Sequence, residues 1–324
     1  MAGTLGPIPL PDAGEKRAGS FTFEADPALA RYQWPYFSIA GAQPGPTFLI
    51  TAGIHAAEYT GIEAAIRLGR SLDPATISGR VVIVPLLNRP GFYERSIYVN
   101  PEDGDNMNRV FPGRPDGSWS ERFAHHFLTG VISGVDYAID LHAGDMIEDL
   151  EPFVGFRASG KPDVDATAHR MLAAYGAAWA IVSLPGGERS GLLYAAAAAL
   201  GIPAILAESG RCGLLEEEAV QRHVRGVENI LRTVGILAGE PAPVTPPRLL
   251  ERFDWLRSPY EGIFHCAVKV GEQVAAGQRL GEMVNLVGEP LGEIVAPAAG
   301  VVLFLVTSPA IKADGLLMGV GVPE

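Results

Sequence analysis

His55 and Glu58 stand three residues apart in the stretch LITAGIHAAEYTG (residues 49–61), and imidazole and carboxylate are both ligand types for zinc. If the pair lies in a loop and the first turn of a helix, that spacing puts both side chains on one face. A catalytic zinc site needs a third protein ligand and an open position for water. Taken alone, a glutamate at a helix start only complements the helix dipole, so other residues must agree before the pair means metal.

His142 supplies that agreement. It ends the apolar run VDYAIDLHAGD (residues 135–145), as His55 follows the apolar run FLITA. In a parallel sheet both ends fall on one edge, so His142 can complete a His, Glu, His triad. Asp140, two residues earlier, shares the side of the strand that His142 occupies and can orient its ring. Glu208 ends a further apolar run, GIPAILAESG (residues 201–210). A carboxylate there can take a proton from an activated water and return it to a leaving amine. The structural alternative pairs Glu208 with Arg211 or Arg189. In PEDGDNMNRVFPG (residues 101–113) the turn residues put Asn108 and Arg109 on a loop. There the arginine fork and the amide can grip a substrate carboxylate.

These residues need a frame that brings strand ends together. Strands are expected at 47–52, 80–86, 135–141, 179–184 and 203–207, and helices at 57–71, 118–132, 163–176, 190–200 and 215–234. That alternation predicts an α/β domain with a mostly parallel sheet, whose ligands bind beyond the carboxyl ends of the strands. GEPAPVTPPR (residues 239–248) is a proline-rich linker. It separates a catalytic domain, 1–238, from a small all-β domain, 249–324. Residues 1–45 are expected to add an edge strand or two.

Composition narrows the partners. A chain of 324 residues with a formal net charge of −12 does not suit nucleic acid, which demands clustered Lys and Arg. Cys212 and Cys266 form no disulfide framework and no cysteine zinc site, which makes a reducing cytoplasm the default location. The N-terminal stretch lacks the basic-then-apolar pattern of a secretory signal. Gly201 and Pro203 interrupt the longest apolar tract, so it reads as helix, turn and strand rather than a membrane span.

Taken in order, GIHAAEYTG, DGDNMNRVFPG, DLHAG and AILAESG resemble the succinylglutamate desuccinylase/aspartoacylase family of the zinc carboxypeptidase superfamily, over roughly residues 45–320. The resemblance implies a carboxypeptidase-like α/β/α sandwich with a mixed, largely parallel sheet, and a small β domain beside the active site. It implies one Zn2+ per chain held by His55, Glu58 and His142, Glu208 as general base and acid, and Asn108 and Arg109 on a substrate carboxylate. Family members carry a further arginine before the Asn-Arg pair, helping to polarise the scissile carbonyl. Tyr98 occupies the matching position here, which leaves Arg95 as the candidate. Ala56 replaces the usual glycine after the first histidine.

The implied activity is zinc-dependent hydrolysis of the linear amide of a small N-acyl amino acid, with a homo-oligomer compatible with it. Three alternatives are a metallocarboxypeptidase acting on short peptides, an N-acetyl-diaminobutyrate deacetylase of ectoine breakdown, and an inactive binding module. VKVGEQVAAGQRLGEM (residues 268–283) also resembles the half-repeats of biotinyl and lipoyl domains. The matching tip EPLGEIVAP has no lysine and Lys312 comes too late, so a barrel-sandwich shape without a carrier role is expected.

Overall fold

Residues 3–184 and 191–324 are described by a computed structural model. The chain opens with a small hairpin, β1 (Thr4–Leu5) and β2 (Ile8–Pro9), and then β3 (Lys16–Phe21), β4 (Trp34–Ala40) and β5 (Gln43–Ala52). Next come α1 (Tyr59–Ser71), β6 (Ser78–Val84), α2 (Gly91–Glu94), α3 (Trp119–Gly130) and β7 (Tyr137–His142). They are followed by β8 (Glu148–Leu150), β9 (Phe153–Arg157), α4 (Pro162–Tyr175) and β10 (Trp179–Ser183). The last helices are α5 (Leu193–Leu200) and, after β11 (Ala204–Glu208), α6 (Glu217–Thr233). Only strands follow: β12 (Arg248–Arg257), β13 (Gly262–Cys266), β14 (Gln273–Val274) and β15 (Arg279–Val284). Then come β16 (Pro290–Val295), β17 (Gly300–Val306), β18 (Ala310–Ile311) and β19 (Leu316–Pro323).

Period-two burial explains why the central strands sit where they do. On β5, Phe48, Ile50 and Ala52 face the core shared with α1, α4 and α6, while Leu49 faces the core shared with α3 and α5. On β7, Ile139 and Leu141 take the first side and Ala138 the second; β11 repeats this with Ile205 and Ala207 against Ala204 and Leu206. Strands buried on both faces read as continuous apolar runs and belong inside an α/β/α sandwich.

The neighbours β6, β5, β7 and β11 are mutually parallel. The site therefore gathers at one edge of this group, beyond Ala52, His142 and Glu208. Beyond β11 the sheet turns mixed. β9 lies antiparallel to β11 and parallel to β10, and the sequence reading did not include it as a strand. Its five residues, FVGFR, are too short and too polar at the end to show a period.

The C-terminal region does not stand off from this sheet. β12 pairs in parallel with β10, and β19, β17 and β14 extend the same thirteen-stranded sheet, with β8 paired to β17. A separate four-stranded sheet of β16, β15, β13 and β18 completes the all-β region. Residues 240–247 have no regular structure, and Arg248 at the end of the expected linker already belongs to β12. The amide of Asn229 in α6 fastens that stretch through the N–H and the carbonyl of Ala242.

Candidate metal centre

Three short connections carry the ligands. After β5 the chain reaches His55 and then Glu58, the N-cap of α1. Gly61, one turn into α1, lets the helix lie directly on β7: a Cβ there would meet the carbonyl oxygen of Leu141 at 2.8 Å. β7 itself ends on His142, and β11 ends on Glu208, which is the direct register partner of His142. Registered neighbours leave the same face of a sheet, so both side chains project toward the same side.

The ring nitrogens are fixed by their partners. Nδ1 of His55 lies 2.7 Å from one oxygen of Glu58, and Nδ1 of His142 lies 2.9 Å from the other. Nε2 of His142 donates to Asp140 Oδ2 at 2.9 Å, and Asp140 Oδ1 accepts from the Thr51 hydroxyl at 2.7 Å. Nε2 of His55 donates to Asn106 Oδ1 at 3.1 Å. That oxygen also accepts from the backbone N–H of Asn108 at 2.9 Å, which fixes the orientation of the Asn106 amide.

Acceptors at both Nε2 positions hold the ring protons there, leaving the Nδ1 lone pairs turned toward the shared carboxylate. Two lone pairs facing an anion call for positive charge between them, which a metal ion supplies or, without one, protons on the rings. One donor atom each from His55, Glu58 and His142 lies within 4.8 Å of the others, and all three residues are buried. The set fits a divalent metal with ligand bonds of about 2.0–2.2 Å.

Without such an ion the site is strongly polarised. Burial opposes the charge on Glu58, but the imidazoles of His142 and His55 outweigh it and draw the carboxyl down to about 2. Burial likewise opposes the charge on His142, and Glu58 and Asp140 raise its ring well above the usual histidine range. Burial pushes Glu208 far above an ordinary carboxylate; His142 opposes this and Glu58, Glu148 and Asp140 add to it. Glu208 Oε2 is buried with no hydrogen-bond partner among the described residues. Arg211 pairs with Glu216 and Asp149 rather than Glu208, and Arg189 lies outside the described residues.

Asn108 and Arg109 lie together in one short turn, Met107–Arg109. Asn108 is buried rather than free on a loop: its Oδ1 accepts from the Leu193 N–H at 2.9 Å, and its Nδ2 lies 3.3 Å from His142 Nε2. Its Oδ1 thus helps to seat α5 against the site. Arg109 is exposed, with Nη1 donating to the Asn108 carbonyl at 2.7 Å.

Arg95 is the arginine expected to serve the scissile carbonyl. It is exposed at the C-cap of α2, and the residue brought to the centre from this stretch is Tyr98, whose ring meets His55 edge-on at 6.3 Å. Tyr98 holds a left-handed backbone (φ 61°), and its N–H donates to Asp145 Oδ2 at 2.9 Å. Its hydroxyl is hydrogen-bonded to Glu148, whose Oε2 accepts from the Asp145 N–H at 3.2 Å. Burial and the nearby Glu58 push Asp145 up, and the same causes push Glu148 to about 7.

Asn106, Asp145 and Glu148 were not singled out from sequence, nor was His223 on α6. His223 bonds the carbonyl of His142 from behind, and burial holds its ring down to about 4. The DGD and GDMIE contexts look like ordinary acidic turns, so the sequence carried no signal for these residues.

Two buried imidazoles sharing one carboxylate, with a second buried carboxylate at the neighbouring strand end, could hold a metal ion on an α/β/α frame. Residues 44–234 match the family model of the succinylglutamate desuccinylase/aspartoacylase catalytic domain. The chain belongs to the succinylglutamate desuccinylase/aspartoacylase family. It is 31% identical over 246 residues to the N-alpha-acetyl-L-2,4-diaminobutyric acid deacetylase of Halomonas elongata, covering 75% of this chain and 71% of that one.

The product-bound structure of the ectoine utilization protein EutE (DoeB) from Ruegeria pomeroyi superposes with a TM-score of 0.86 at 28% identity, covering 98% of this chain and 99% of that one. A succinylglutamate desuccinylase from a Silicibacter species gives a TM-score of 0.86 at 27% identity, covering 98% and 97%. Among the described residues no helix is long and apolar enough to cross a membrane.

Proposed function

We propose that this chain is a zinc-dependent hydrolase of the amide bond in a small N-acylated amino acid. The observation that carries the reading is the pair of imidazoles whose Nε2 atoms are each bonded to an acceptor while both Nδ1 atoms face Glu58. Zinc held by His55, Glu58 and His142 would supply Lewis-acid polarisation of the carbonyl and an acidified water. Glu208, with one carboxylate oxygen unpaired, takes a proton from the attacking water. As the C–N bond breaks, Glu208 gives that proton to the leaving amine, so acid and amine products balance the water consumed. Asp140 and Asn106 keep the two rings in the ligating tautomer throughout.

The same pocket favours a substrate that carries a second amine. The carboxyls of Glu58, Asp140, Asp145, Glu148 and Glu208 gather about the centre, and burial together with the charge of Glu58 pushes Asp145, Glu148 and Glu208 up, the mark of a surplus of acidic groups. A dicarboxylic N-acyl amino acid would add to that surplus, whereas an ammonium group would offset it. The relative named for N-alpha-acetyl-diaminobutyrate points the same way.

The test is a panel of N-acetyl-diaminobutyrate, N-acetylaspartate, N-succinylglutamate and short peptides on zinc-loaded protein, read by amine release. Preference for the diamino substrate is expected. Release of C-terminal residues from peptides, with none of the acyl amino acids cleaved, would instead make the chain a carboxypeptidase. No bound zinc and no hydrolysis after adding zinc would leave a binding module.

A further inference from the structure

Behind the metal centre, on the side away from the cleft chemistry, lies a fully buried histidine that the hydrolytic steps do not use. His223 projects from α6; its Nε2 is 2.9 Å from the carbonyl oxygen of His142, and its Nδ1 is 2.8 Å from the hydroxyl of Tyr175 at the end of α4. A carbonyl can only accept, so Nε2 carries the ring proton and Nδ1 accepts from the tyrosine O–H. One neutral tautomer satisfies both bonds; the carbonyl selects it and the Tyr175 hydroxyl, free to donate, completes it.

The carbonyl so bound is the last of β7, where the sheet ladder gives out. Its other donor is the N–H of Ser209 at 3.1 Å, the residue after Glu208. The carbonyl of Ser209 in turn accepts from the hydroxyl of Thr60 at 2.5 Å, two residues after Glu58. The segments bearing Glu58, His142 and Glu208 are therefore laced together at this one patch, and His223 is the side chain that caps it. Losing that donor would leave half the bonding of a buried carbonyl unmade and free the peptide after His142 to rotate. The imidazole of His142 would then lose its fixed aim at Glu58.

We propose that His223, held in place by Tyr175, is a positioning residue for the metal centre, fixing the backbone of His142 so that Nδ1 meets the ion. A merely space-filling histidine would be replaced equally well by leucine. A positioning histidine would be replaced better by glutamine, whose side-chain N–H reaches the place of Nε2. The inference rests on the reading of His142 as a metal ligand.

The experiment compares zinc affinity of the full-length protein, by competition with a chromophoric chelator, among wild type, His223→Leu, His223→Gln and Tyr175→Phe. Turnover at saturating zinc is measured alongside. His223→Leu should weaken zinc binding about 10- to 100-fold, the range found when partners of metal ligands are removed. kcat should fall more than KM changes, His223→Gln should recover most of both losses, and Tyr175→Phe should lie between. Wild-type zinc affinity in His223→Leu, or a loss in His223→Gln as large as in His223→Leu, would overturn the proposal. If circular dichroism shows that His223→Leu does not fold, Tyr175→Phe decides, and unchanged affinity and kcat there would overturn it. Wild-type protein that takes up no zinc would instead sink the metal-ligand reading itself, a result distinct from variants that all bind equally.

Discussion

Burial pushes the Glu208 carboxyl well above the ordinary range, and the neighbouring carboxylates add to this, so it holds a proton more tightly than an exposed glutamate would. Glu208→Gln keeps the shape but cannot take the proton. It should retain zinc stoichiometry by metal analysis and lose about 100- to 10,000-fold in kcat. Asp140→Asn exchanges an ionic acceptor for a neutral amide, and should weaken zinc about 10- to 100-fold in chelator competition while leaving the fold intact by circular dichroism. Glu148 gives a pH signature in metal-free protein. Its folded value is raised from 4.5 to about 7, so its stabilising contribution is complete below pH 4.5 and lost as pH rises through 7. Allowing for partial exposure, the loss is about 2 kcal/mol. Urea unfolding in chelator should show Glu148→Gln with a flatter slope over that window; an unchanged slope would remove Glu148 from the account.

Among the elements, α1 and the turn after β11 are pressed together, and glycines allow it. Gly210 has φ +110°, and a Cβ there would lie 2.3 Å from the hydroxyl of Thr60, the group that bonds Ser209. Gly210→Ala should therefore strain the turn and break the tie between the Glu58 and Glu208 segments. A loss of about 1–3 kcal/mol is expected in denaturant unfolding, together with weaker zinc binding. Helix α3 is approached as closely, since a Cβ on Gly113 would lie 2.1 Å from the carbonyl oxygen of Glu121. Ser118 and Glu121 form a capping box at its start, so local sequence sets where the helix begins.

At the scale of the molecule, the C-terminal strands are part of the catalytic sheet. Trp179 and Ile181 of β10 pack with Leu250, Val301 and Leu303, and Val306 of β17 pairs with Glu148 in β8. The strand that carries Glu148 to the metal centre is thus held from the C-terminal side. Truncation after residue 247 should expose the edge of β10 and its apolar partners, and a long unpaired edge invites aggregation. Soluble expression and circular dichroism of that fragment check the point; a soluble, folded, zinc-binding fragment would show that the two regions are independent.

The positions of His55, Glu58, His142 and Glu208 were legible from the sequence because each follows an apolar run, and parallel strands necessarily end on one edge. Asp140 was legible for the same reason, through its two-residue offset from His142. These are local regularities, and a one-dimensional pattern carries them. What decides the tautomers, the charge of the pocket and the fate of Arg95 is contact between residues far apart in the chain. Tyr98 with Asp145, Asn106 with His55, His223 with His142 and β8 with β17 leave no periodic trace. The sequence alone therefore determined which side chains could hold a metal. Only the tertiary structure decided which of their nitrogens face it and what surrounds them, because hydrogen-bond partners and buried charge follow from packing.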